Sequence, residues 1–195
     1  KTLLWCFANE NIISQVDTLN LFFISKHNDY KTCAHFFRLL NVDHLFLPNK
    51  VDGLVTQELA ALLIENNPRL RVLQCDDSNV LHLNFPRNLE ILKTGSGPFF
   101  SQLEIPLSQQ FPKLIELNLD FHSHIDQKYI NGIFLHLPTL QTLKVSGNVF
   151  TNVELICCIL DSNPTVTTFS IYQGDHPYES LEPLYRHLSH VKLLD

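Results

Sequence analysis

The sequence predicts an α/β solenoid in one domain spanning residues 1–195. About eight short parallel strands would line the concave side of a horseshoe, with helices on the convex side. Three observations predict it. An apolar strand motif recurs along the chain, its spacing is nearly constant, and apolar positions at helical spacing fill the gaps between copies.

The motif is clearest in the second half. Phe111-Pro112-Lys113-Leu114-Ile115-Glu116-Leu117-Asn118-Leu119 returns as Leu137-Pro138-Thr139-Leu140-Gln141-Thr142-Leu143-Lys144-Val145. It returns again as Asn163-Pro164-Thr165-Val166-Thr167-Thr168-Phe169-Ser170-Ile171. The shared pattern is Pro-x-L-x-x-L-x-L, where L is any aliphatic residue or Phe. Its second anchor falls at Leu19, Leu45, Leu73, Leu92, Leu117, Leu143, Phe169 and Leu194. The intervals are 26, 28, 19, 25, 26, 26 and 25 residues, so all but one lie in a narrow band. The 19-residue step marks a shortened unit or a place where residues are missing; the chain also contains no Met.

Each copy alternates across a short strand, so the L positions face inward and those between face out. One strand cannot bury its own apolar face, and stacked copies can. Taken in order, the first copy turns Thr18, Asn20 and Phe22 outward. Lys31–Leu40, with Phe36, Phe37, Leu39 and Leu40, reads as a returning helix. The second copy presents His44 and Phe46. Leu54–Ile64 reads as the next helix, stopped by Asn67-Pro68. The third copy presents Val72, Gln74 and Asp76, and the fourth Ile91 and Lys93. Gly95-Ser96-Gly97 reads as a loop. The fifth copy presents Glu116, Asn118 and Asp120. Tyr129-Ile130, Ile133-Phe134 and Leu137 give helical spacing before the sixth, which presents Thr142, Lys144 and Ser146. Val153, Leu155-Ile156 and Ile159-Leu160 mark another helix, with Cys157 and Cys158 expected as buried thiols. The seventh copy presents Thr168, Ser170 and Tyr172. A last helix, with Leu181, Leu184-Tyr185 and Leu188, leads to the partial copy Val191–Leu194.

Composition excludes several classes. Hydrophobic residues make up 45% of the chain and charged residues 17%, enough apolar content to fill a core. The net charge is -6 and Lys and Arg do not cluster, which argues against binding nucleic acid or an anionic membrane by charge. The longest apolar run, Leu19 to Ile24, is too short to span a bilayer, and no signal peptide is visible at Lys1. Five Cys form no disulfide framework, and Pro164 spoils the glycosylation acceptor at Asn163. These features predict an intracellular protein, cytoplasmic or nuclear.

Chemistry-bearing motifs are sparse. Asp120-x-His122-x-His124, with Asp126 nearby, has metal-like alternation, but the strand should end near Asp120, leaving the histidines in a loop. They read as surface residues. Gly95-Ser96-Gly97 lacks the Lys-Ser/Thr of a phosphate cradle. No H-E-x-x-H, G-x-S-x-G or paired C-x-x-C occurs. The chain is therefore expected to have no catalytic, cofactor or metal site and not to be an enzyme.

The copies quoted above resemble the leucine-rich-repeat superfamily over nearly the whole chain. Their period and helical returns are similar to the intracellular branches, the ribonuclease-inhibitor-like repeats and the cysteine-containing repeats of F-box proteins. The Asn or Cys those repeats carry after the third L recurs only sporadically, as at Asn49. The resemblance implies a protein-protein interaction scaffold, such as the substrate-recognition domain of an F-box-type ubiquitin ligase. Only Leu4-Trp5 could belong to an F-box motif. The alternatives are an adaptor or regulator in nuclear transport, GTPase regulation or a pathogen effector, and an accessory domain of an enzyme whose catalytic part lies elsewhere. In each case the partner is another protein. The expected binding residues are Phe22, His44, Phe46, Gln74, Lys93, Glu116, Asn118, Asp120, Thr142, Lys144, Ser170 and Tyr172. Phe22, Phe46 and Tyr172 are either interface anchors or covered by a cap or long loop. Glu116, Asn118 and Asp120 either meet a basic partner or form a solvated face.

Overall fold

A computed structural model of the chain describes residues 17–20, 40–47, 57–75, 85–95, 106–121, 136–147, 149, 152–172, 182–188 and 191–194. Its eight strands are β1 (Thr18–Asn20), β2 (His44–Leu47), β3 (Val72–Cys75), β4 (Ile91–Gly95), β5 (Glu116–Phe121), β6 (Thr142–Gly147), β7 (Thr168–Tyr172) and β8 (Lys192–Leu194). Its helices are α1 (Gln57–Glu65), α2 (Leu107–Gln110), α3 (Val153–Ser162) and α4 (Glu182–Tyr185). The strands form one open sheet in chain order, with every pair parallel. Neighbouring parallel strands need a crossover between them, and strict chain order means every crossover returns to the adjacent position. The arrangement is α/β and consistent with a solenoid-like stack.

One hydrogen-bond pattern sets the register. The carbonyl of Asp17 accepts from the amides of Asp43 and His44, at 2.9 and 3.0 Å. The carbonyls of Asp43, Arg71, Glu90, Ile115 and Gln141 each do the same for the first residues of the next strand, at 2.8–3.0 Å. One acceptor holding two donors at the starts of β2 to β7 leaves little room to slide. The anchors then fall in line: Leu19, Leu45, Leu73, Leu92, Leu117, Leu143 and Phe169 are partners across successive strands. The 19-residue step is no break, since Leu73 pairs directly with Leu92.

The last step differs from expectation. Phe169 pairs with Leu193, not Leu194. A one-residue shift exchanges inward and outward positions. β8, at the end of the sheet, is paired with β7 alone.

The inward rows and the helices share one core. Leu45, Leu73, Leu92, Leu117, Leu143 and Phe169 are fully buried beside Leu63 and Ile64 of α1 and Leu155, Ile156 and Ile159 of α3. The predicted helices appear as α1, α3 and α4. Lys31–Leu40 and Tyr129–Leu137 lie outside the described residues except for Leu40, His136 and Leu137. The sequence reading did not foresee α2; its Leu107 is fully buried. Two positions expected to pack are open instead. Tyr185 of α4 is 55% exposed. Cys158 is exposed and Cys157 half-buried, because both lie off the stripe of α3 formed by Leu155, Ile156, Ile159 and Leu160.

Two buried asparagines tie helix ends to neighbouring segments. Asn67 donates to the Leu63 carbonyl one turn back, and its Oδ1 accepts from the Val42 amide at 2.6 Å. Asn163 donates to the Ile159 carbonyl at 2.7 Å and accepts from the Leu137 amide at 2.6 Å. Each side chain satisfies a carbonyl at a helix end and an amide 25 or 26 residues earlier, and the following proline prevents the helix from continuing. At the far end of β6, Gly147 has φ 77°, and a Cβ there would lie 2.4 Å from the Phe121 carbonyl oxygen. Only glycine fits that close approach.

A denaturation series tests which contacts hold the sheet. Leu117→Ala should cost about 3 kcal/mol, the usual scale for emptying a buried leucine site. Asn163→Ala should cost about 2 kcal/mol, because it orphans buried backbone groups. Ile115→Ala, at a 38% exposed side chain, should cost less than about 1 kcal/mol. Equal losses at Leu117 and Ile115 would contradict the strand register.

Candidate functional site

The alternation that buries the anchors lifts three rows of side chains from the opposite face. Thr18, His44, Val72, Ile91, Glu116, Thr142 and Thr168 form the first; Phe46, Gln74, Lys93, Asn118, Lys144 and Ser170 the second. Gly95, Asp120, Ser146 and Tyr172 form the third. The structure thus brings eleven of the twelve expected binding residues onto one face. Phe22 lies outside the described residues, as does Asp76.

Exposure sorts them. His44 is open and Tyr172 is 60% exposed. Phe46, Gln74, Lys93, Glu116, Asn118, Asp120, Thr142 and Lys144 are half-buried. Two outward positions are covered, against expectation: Val72 is 8% exposed and Ser170 3%. Both are short. Val72 stands between His44 and Ile91, and Ser170 beside Lys144. At a strand spacing of about 4.8 Å, longer neighbours shade a short side chain. Ser170 is therefore removed from the contact surface.

The central polar cluster spans β5 and β6. Lys144 Nζ lies 2.8 Å from Glu116 Oε1, and Asn118 Nδ2 donates to the same oxygen at 3.1 Å. The side chains of Lys144 and Glu116 are 32% and 19% exposed, so solvent screens the pair only in part. Asn118 Oδ1 is buried and takes no hydrogen bond among the described residues. Lys93, next to Asn118 in the same row, makes no ion pair with a described residue. A depression of about 270 Å³ opens here, lined by Gln74, Lys93, Asn118, Asp120, Lys144, Ser146 and Tyr172.

A second depression, about 600 Å³, lies along the starts of the strands around exposed Ile115. Two of its lining residues, Lys113 and Thr139, belong to a ladder of polar contacts that sequence reasoning did not find. Lys113 donates to Asn88 at 2.8 Å, Asn88 to the Pro68 carbonyl at 3.3 Å, and Thr139 to the Leu114 carbonyl at 2.8 Å. The signal was present: Arg69, Asn88, Lys113, Thr139 and Thr165 fill the turn that follows or replaces the proline in successive copies.

Of Asp120, His122, His124 and Asp126, only Asp120 is described; the other three lie outside the described residues. Among the described residues no group of three or more His, Cys, Asp and Glu is placed to hold a metal ion. No helix among them is long and apolar enough to cross a membrane. Cys157 is a poor nucleophile. Burial first, then the Asp161 carboxylate, pushes its thiol up to about 11.

No protein-family model matches the chain, and no curated protein matches its sequence.

Iodoacetamide labelling checks the thiol. With its pKa raised to about 11, roughly one Cys157 in a thousand is thiolate at pH 8. Labelling at Cys157 should be negligible at pH 8 and climb above pH 10. Rapid labelling at pH 7 would contradict the assigned environment.

Proposed function

We propose that this chain is a leucine-rich-repeat solenoid that binds another protein through the open face of its sheet. The carrying observation is that face itself: one continuous surface over consecutive parallel strands, with Tyr172 standing 60% exposed at one side of a polar depression. An aromatic side chain left in water on a rigid sheet is the usual anchor of an interface. The strands hold the surrounding groups in place, so little conformational freedom is lost on binding. The recurrence of doubly accepting carbonyls, at intervals of 19 to 28 residues, supports the repeat reading. The horseshoe shape, with α1 and α3 on its convex side, belongs to the same proposal. So does a role as substrate receptor of an F-box-type ubiquitin ligase, which association with the ligase scaffold in cells would test; no association would remove that role and leave the binding role standing.

The folded chain should retain a partner in affinity capture, and Tyr172→Ala should weaken that partner about thirtyfold, the scale of a hot-spot residue. Thermal unfolding of the variant should match the parent, because the side chain is exposed. Lys144→Glu is a poorer probe, since it sets a second carboxylate against Glu116. Unchanged affinity in Tyr172→Ala would count against the sheet face.

A further inference from the structure

We propose that the depression beside Lys93 receives the carboxylate of an acidic side chain on an extended partner segment, with an apolar residue of that segment resting on Tyr172. The inference rests on the binding role proposed above and names the chemistry of the partner. It follows from how the charges of this face are used. Lys144 is committed to Glu116 at 2.8 Å, and Asn118 donates to the same oxygen. Asp120 already has a partner within the chain. Lys93 has none among the described residues, yet it is half-buried and lines the depression. A lysine that is partly desolvated and unpaired is the unmet demand of the site, and an anion answers it.

The anion is a carboxylate rather than a phosphate. Among the described lining residues there is no arginine to grip a phosphate with two hydrogen bonds. One unpaired ammonium among the described residues matches one negative charge, while a second would face Asp120 and the neutralised Lys144.

The sheet sets the spacing. From β4 to β7 is three strand intervals, about 14 Å, and Tyr172 lies two residues further along its strand, about 7 Å. The diagonal is about 16 Å. An extended segment advances about 3.3 Å per residue, so acid and apolar residue should be four to five positions apart.

The test is a random dodecapeptide library displayed on phage and selected on the whole chain, followed by binding of synthetic fluorescent peptides. Selected peptides should carry Asp or Glu four to five positions from an aromatic or large aliphatic residue. Exchanging that Glu for Gln, or Lys93→Gln in the protein, should weaken binding at least tenfold, and Lys93→Arg should restore most of it. Tighter binding of a phosphoserine peptide would overturn the carboxylate assignment. Peptides without an acid, lost in Tyr172→Ala but indifferent to Lys93→Gln, would overturn this inference while leaving the binding face intact. Peptides indifferent to both variants, or no enrichment, would overturn both.

Discussion

The structure depends on one constraint: each strand takes its register from the strand before it. A carbonyl just before one strand holds two amides at the start of the next, and the pattern recurs from Asp17 to Gln141. This fixes which residue of each strand stands beside which. Because side chains alternate, it also fixes which residues are buried and which reach solvent. A slip of one position would carry Leu117 into water and Glu116 into the core. The apolar anchors make that slip costly, since each buried leucine contributes about 2 kcal/mol relative to exposure. The face that carries Lys93, Lys144 and Tyr172 is thus a by-product of the way the core closes.

Much of this was legible in the sequence because parallel strands of this kind carry a regular alternation. Leu73, Leu92, Leu117 and Leu143 could be aligned by eye, and they align in space. What could not be read depends on neighbours rather than on period. Val72 and Ser170 occupy outward positions, yet longer adjacent side chains cover them. Helical spacing placed Tyr185 among packed residues, but a helix as short as α4 presents only part of a turn to the core, and Leu184 takes that place. The β8 register was ambiguous because Leu193 and Leu194 are alike. The tie between Lys144 and Glu116 crosses two rows and 28 residues, and no local pattern announces it.

The buried asparagines show the same limit from the other side. Asn67-Pro68 and Asn163-Pro164 were legible as helix stops. Their side chains do more: each links the helix that ends there to backbone 25 or 26 residues earlier. Local stop signals and long-range ties are carried by the same residues, so helix termination and stacking are coupled. The outward face of the sheet is built on the same ties. On it Lys144 and Glu116 hold each other, while Lys93 has no ion-pair partner among the described residues.

Hydroxyl-radical footprinting of the chain with and without its captured partner tests whether the sheet face binds, because two tyrosines of similar exposure lie in different places. Tyr172 stands on the sheet face and Tyr185 on α4, 60% and 55% exposed. Tyr172 should lose reactivity on binding while Tyr185 keeps it. Protection of Tyr185 with Tyr172 unchanged would contradict binding by that face.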